Sequence, residues 1–175
     1  MTAPPQDEMR AFAEAVFATA KSVLLAQGDH APTFVLKGTK GSTIIMLADG
    51  LPDDHAMRAR VCYGAGRQVM PMNKRRKEIG TLQYVAFAAE AWAIVRAPTR
   101  FDPTERPRDA ADRSEVIVCT VYDLATDTQR EWTAEMLRTA GGDLHDLLPM
   151  SSDEGGIISN RLLEQFVAGW RGEEQ

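Results

Sequence analysis

The residue whose placement most suggests chemistry is Glu90, in "AAEAWAIVRAP" (88–98). It is a carboxylate at the centre of an apolar, strand-like run. A carboxylate buried without a partner takes up a proton because desolvation raises its pKa, which is how a general acid is made. Three plainer roles compete and together outweigh that one. Glu90 can lie on the wet face of an antiparallel sheet, pair with an arginine, or sit in a subunit interface. Arg96, Arg106, Arg108 and Arg113 all flank the neighbouring segment. In "DRSEV" (112–116), Arg113 and Glu115 are two apart, so a strand would put both on one face. A guanidinium binds a carboxylate bidentately. An Arg–Glu network around Glu90 would therefore hold a loop against the sheet, or orient an anionic substrate.

Other reactive groups are sparse. Asp53 to His55 and Asp143 to Asp146 are the only clusters of ligand-like side chains. Asp143 and His145 have a spacing that a loop or strand can use for a metal. Neither cluster follows a metal-binding motif, and Asp53 or Asp54 suits a helix cap better. No metal or cofactor is expected. Cys62 and Cys119 read as buried thiols in a reducing compartment rather than a disulfide. "KGTKGS" (37–42) lacks the order of a phosphate loop and "GAG" (64–66) lacks a dinucleotide fingerprint, so both read as turns. "NKRRKE" (73–78) is the one basic run. Lys74, Arg75, Arg76 and Lys77 could contact phosphates, but no aromatics are interleaved to stack bases, and a solvated loop is the stronger reading.

The elements that must position these groups follow from periodicity. Residues 7–26 carry a helical apolar stripe of Met9, Phe12, Ala13, Val16, Phe17, Ala20, Val23 and Leu24, closed by Gly28. Residues 33–38 and 43–48 read as a β-hairpin. Residues 53–67 read as a helix with Met57, Val61, Gly64 and Ala65 inward. Residues 81–97 read as a long strand, one parity wholly apolar and the other mixed, carrying Tyr84, Glu90, Trp92 and Arg96. Residues 98–114 form a Pro- and Arg-rich loop. Residues 115–125 and 129–138 read as paired strands, with a helix over 133–140 as the alternative. "GGDLHDLLPMSSDEGG" (141–156) reads as loop, residues 157–170 as a last helix, and 171–175 as a frayed tail. The sum is one α+β domain, a mostly antiparallel sheet of about five strands with helices on one face.

The combination of "AEAW" on a strand, a proline-containing loop and "DRSEV" opening the next strand resembles a loosely defined group of small uncharacterised bacterial and phage-associated proteins. The resemblance spans residues 81–125. That group carries no assigned activity, so the resemblance implies no site.

With 175 residues, 44% hydrophobic, the chain is long enough for one core without disulfides. A net charge of −5 disfavours nucleic acid on average. The start lacks a secretory signal, and no apolar run is long enough to span a membrane, so a soluble cytoplasmic protein is expected. The leading expectation for function is a binding or assembly module rather than an enzyme, with self-association through sheet edges or apolar faces. A protein partner is open, and nucleic acid and membrane are not expected. The alternatives are a carboxylate enzyme, with Glu90 as acid or base and Arg113 and Glu115 beside it, and a nucleic-acid accessory protein using 74–77.

Overall fold

The computed structural model describes residues 5–69, 78–94, 109–150 and 160–173. Helix α1 (Pro5–Gln27) is followed by strands β1 (Thr33–Gly38) and β2 (Ser42–Met46). Helix α2 (His55–Val69) comes next. The strands β3 (Leu82–Ile94), β4 (Arg113–Asp123), β5 (Thr128–Arg138) and β6 (Leu144–Pro149) lead to helix α3 (Arg161–Arg171). The strands form one sheet in the order β2-β1-β3-β4-β5-β6, each neighbouring pair antiparallel. The α+β class holds, with six strands in place of about five.

β3 is central, and its residues 84–89 are buried on both faces, whereas its end from Glu90 to Trp92 is exposed. Tyr84, Ala86 and Ala88 meet Ile117, Cys119, Val121, Trp132, Ala134 and Met136 beneath α1. Val85, Phe87 and Ala89 join Phe34, Leu36 and Tyr122 beneath α2 and α3. The expectation of helices on one face is therefore wrong. A strand apolar in both parities has two faces to cover, and helices lie on each. The stripe on α1 is the expected one. Phe12 stacks on Tyr84 with centroids 6.0 Å apart. The Gly28 N–H closes the helix on the Leu24 carbonyl at 2.8 Å, from a φ of +83° that a glycine adopts without strain.

On the opposite face, the Phe166 ring of α3 stacks on Phe34 at 4.2 Å, and Phe34 meets Phe87 at 4.6 Å. Each buried ring contributes about 1.5–3 kcal/mol of transfer free energy, so this trio fixes α3 over β1 and β3. α2 then packs chiefly on α3. Its buried residues are Cys62, Gly66 and Val69, whereas Met57 is exposed. Of the expected inner stripe of Met57, Val61, Gly64 and Ala65, Ala65 packs against this core and Val61 and Gly64 are half-buried, while Met57 is corrected to exposed. The contact face is chosen by backbone approach: a Cβ on Gly66 would lie 2.1 Å from the Phe166 carbonyl oxygen, and one on Gly169 would lie 2.2 Å from that of Tyr63.

Three boundaries shift. β6 occupies residues expected to be loop. A register shift between Leu137 and Arg138 lets Leu144 and Leu147, three apart, both pack toward the α1 face, which hides the two-residue period. β5 runs through 133–138 as a strand, so the helical alternative is excluded. β4 begins at Arg113, inside the segment 98–114 expected to be loop. Residues 95–108, including Arg96, Arg106 and Arg108, lie outside the described residues, as do 70–77 with the basic run and 157–159 of the expected last helix. α3 continues to Arg171, and Gly172 caps it with a φ of 76°.

Candidate functional site

Between α2, α3 and the sheet lies a cleft made of two adjoining depressions of about 700 and 1040 Å³. They meet at His55, Arg58, Glu131, Asn160 and Leu162, which line both. The floor of the smaller one is sheet surface: Ala89, Ala91 and Ala93 of β3, Val116 and Val118 of β4, and Thr133 of β5. These share a face because strand alternation puts odd residues of β3 and β5 beside even residues of β4. The small side chains of β3 leave the space open. The first turns of α2 and α3 form the wall, with Leu51 and Asp53 at the lip.

Each helix start is capped by its own chain. The Asp54 carboxylate accepts the Met57 N–H at 2.8 Å. The Asn160 side-chain oxygen accepts the N–H groups of Leu162 and Leu163 at 3.1 and 3.2 Å. The Asn160 amide donates to the Thr120 hydroxyl at 3.0 Å, and its backbone N–H donates to Gln129 at 2.9 Å. Asn160 thereby sets the start of α3 against β4 and β5.

Glu131 stands where the depressions meet, paired across the ladder with Thr120. Its carboxylate accepts from the Thr120 hydroxyl at 3.4 Å and the Thr133 hydroxyl at 3.3 Å. It forms no ion pair among the described residues. Burial pushes its pKa above the usual glutamate range, and the two hydroxyls offset this only in part. Among the described residues lining the cleft, the half-buried guanidinium is that of Arg58, and it is turned to its own loop: Nε donates to the Pro52 carbonyl at 2.5 Å, and Nη2 lies 3.9 Å from Asp53. Glu131 is the functional candidate that sequence reasoning missed. The signal was its position two before Thr133 and opposite Thr120, which is visible only once the β4–β5 register is known.

Glu90 has the opposite parity on β3 from the floor alanines, yet with Trp92 and Glu115 it also lines the smaller depression. It is exposed, and Oε1 accepts the backbone N–H of His30 at 2.5 Å, tying the end of α1 to β3. Although the residue as a whole is exposed, partial desolvation of its carboxylate raises its pKa, and the His30 N–H and the Arg138 charge partly reverse this. Glu115 forms an ion pair with Arg138, an arginine that sequence reasoning did not single out. The guanidinium of Arg113 stacks on the Trp92 ring, 4.7 Å from its centroid. Arg113, Glu115, Glu90 and Trp92 are thus one neighbourhood, as the spacing indicated. Beside it, the His30 Nδ1 is buried with no hydrogen-bond partner among the described residues, and burial lowers the ring's pKa.

The remaining candidates fall elsewhere. Asp143 and His145 are exposed at the β6 edge of the sheet. Among the described residues, no group of three His, Cys, Asp or Glu side chains could hold a metal. Cys62 and Cys119 are free and lie in different cores. Burial pushes their thiols up to about 11 and about 12. The glycine-rich turn 38–41 gives the N–H groups of Gly38, Thr39 and Lys40 to the carbonyls of Gly41, Thr81 and Ile79, so none of these three is left to cradle a phosphate.

A scan against protein-family models and searches of curated proteins and of solved structures found no match to this chain.

Proposed function

We propose that the chain acts by binding rather than by catalysis, and that the cleft between α2, α3 and the sheet is where its ligand sits. The observation that carries this is the cleft's composition: an open apolar floor beside one half-buried carboxylate, with polar groups converging from two helix starts. Concave, mostly apolar surfaces with a few convergent polar groups are the usual form of a small-ligand site. Glu90, the acid of the enzyme alternative, lines the smaller depression too, but its carboxylate is taken by the His30 N–H that ties the end of α1 to the sheet. The test is a small-molecule fragment screen read by amide NMR shifts on the protein and on Ala91→Trp, which fills the floor. Hits should move floor amides of β3 and β4 and be lost in the variant. Hits confined to other surfaces, or unaffected by Ala91→Trp, would remove this reading.

Self-association is a second reading, supported by the contrast between the sheet's two edges. β6 carries His145, Asp146 and Pro149, the residue types that discourage edge pairing. β2 has neither charge nor proline, and exposes Ile44 and Met46. Antiparallel pairing of β2 with its copy about Ile44 would oppose only uncharged residues. Sedimentation velocity should then show a dimer that Ile44→Lys with Met46→Lys abolishes, and a monomer at every accessible concentration would contradict it. A reducing cytoplasmic setting fits the two buried free thiols, and no helix among the described residues is long and apolar enough to cross a membrane.

A further inference from the structure

We infer that the cleft binds an organic cation, an amine or guanidinium on a small apolar body, with the Glu131 carboxylate as its counter-ion. This rests on the cleft being the binding site and adds the chemical class of the ligand.

Most carboxylates lining the cleft already have partners: Glu90 accepts the His30 N–H, Glu115 pairs with Arg138, and Glu164 accepts from the Gln129 amide. The positive ends of both helices are occupied, α2 by Asp54 and α3 by the Asn160 oxygen. Arg58 is engaged with Pro52 and lies near Asp53, and Arg161 is exposed and lines only the larger depression, away from the floor. An anion seated on the floor would have to displace these internal acceptors. Glu131 is in the opposite condition. Its partners among the described residues are two neutral hydroxyls at 3.3 and 3.4 Å, longer than the usual separation for such a bond. A half-buried carboxylate held so loosely is left with acceptor capacity that an N–H donor bearing positive charge would satisfy. The side chains of Ala89, Ala91, Val116 and Val118 offer no hydrogen bond, and the Thr133 hydroxyl is given to Glu131, so the part of the ligand over this floor is apolar.

Three probes with one ring and different head groups separate the terms: phenethylamine, 2-phenylethanol and 3-phenylpropionate, titrated at neutral pH and followed by amide NMR. The amine should bind about ten-fold or more tightly than the alcohol, as expected for a charged hydrogen bond over a neutral one. Glu131→Gln should bring the amine down to the alcohol's affinity and leave the alcohol unchanged. If the alcohol binds the floor as well as the amine does, or the carboxylate binds best, the cation inference is overturned while the cleft stands as a binding site. If none of the three moves the floor amides, both the inference and the reading it rests on fall. Should Glu131→Gln fail to fold, the ratio of amine to alcohol affinity in the unaltered protein decides alone.

Discussion

The α2–α3 contact allows a sharp test within one helix. Gly64 and Gly66 are both in α2, and replacing either with alanine gains about 1 kcal/mol of helix propensity. At Gly64 nothing lies within 4 Å of the new methyl group, so that gain should appear in full. At Gly66 the methyl group would sit 2.1 Å from the Phe166 carbonyl oxygen and 2.9 Å from the Trp170 nitrogen. Ordinary contact begins near 3.4 Å, and the obstacle is backbone, which cannot rotate away as a side chain can. The helices must separate by about an ångström. That loosens the packing around Cys62, Val69, Phe166 and Trp170, and overpacking of this kind costs roughly 3 kcal/mol or more. Net of propensity, Gly66→Ala should lose about 2 kcal/mol. In a chain of this length that lowers Tm by roughly 4–8 °C. Gly64→Ala should raise Tm by roughly 2–4 °C on the same scale. Thermal unfolding followed by circular dichroism measures both. Equal stability of the two variants, or a more stable Gly66→Ala, would refute the close backbone approach on which the cleft wall depends.

Other outcomes follow from the site. Burial holds the Glu131 carboxyl above the ordinary glutamate range, so the native state binds a proton more readily than the unfolded chain. Stability should therefore fall as pH rises from about 4 through the raised native pKa. Glu131→Gln should remove its share of that fall, and denaturant midpoints that decline in parallel for the two proteins would contradict it. Asn160→Ala removes the cap of α3 and its bond to Thr120, and should cost about 1–2 kcal/mol by denaturant midpoint. An unchanged midpoint would mean that α3 is not anchored there. With thiols raised to about 11 and about 12 by burial, Cys62 and Cys119 should resist an aromatic disulfide reagent in the native protein at mildly alkaline pH and titrate as two thiols once unfolded. Rapid native labelling would show that one of them is reachable.

Elements with a strong period were readable from the chain. α1 announces its buried stripe, and β3 to β5 announce themselves by β-forming composition. What escaped reading depends on partners distant in sequence. The packed face of α2 is set by Gly66 meeting the backbone of Phe166 and Trp170 and by Gly169 meeting that of Tyr63, and glycine carries no hydrophobic signal. β6 is disguised by an irregular register. Glu131 lacks distinction until β4 lies beside β5 and α3 roofs the pair. Glu90 drew attention because its neighbours in sequence are apolar, yet its neighbour in space is the His30 backbone. The pairing of Glu115 with Arg138 likewise required the β4–β5 register.

α3 is fastened at both ends. Asn160 ties its start to Thr120 and Gln129, and Arg171 ties its end to Asp127, 2.6 Å away, in the β4–β5 turn. Among the described residues α2 has no comparable ties to the strands, and it rests chiefly on α3. The two walls of the cleft thus differ in kinetic character. α2 with its loop is the unit that can open below the free energy of global unfolding, and its amides should exchange with solvent ahead of those of α3. A ligand bridging the floor to His55 and Arg58 would close that difference, slowing exchange in α2 while leaving the already fixed α3 unchanged.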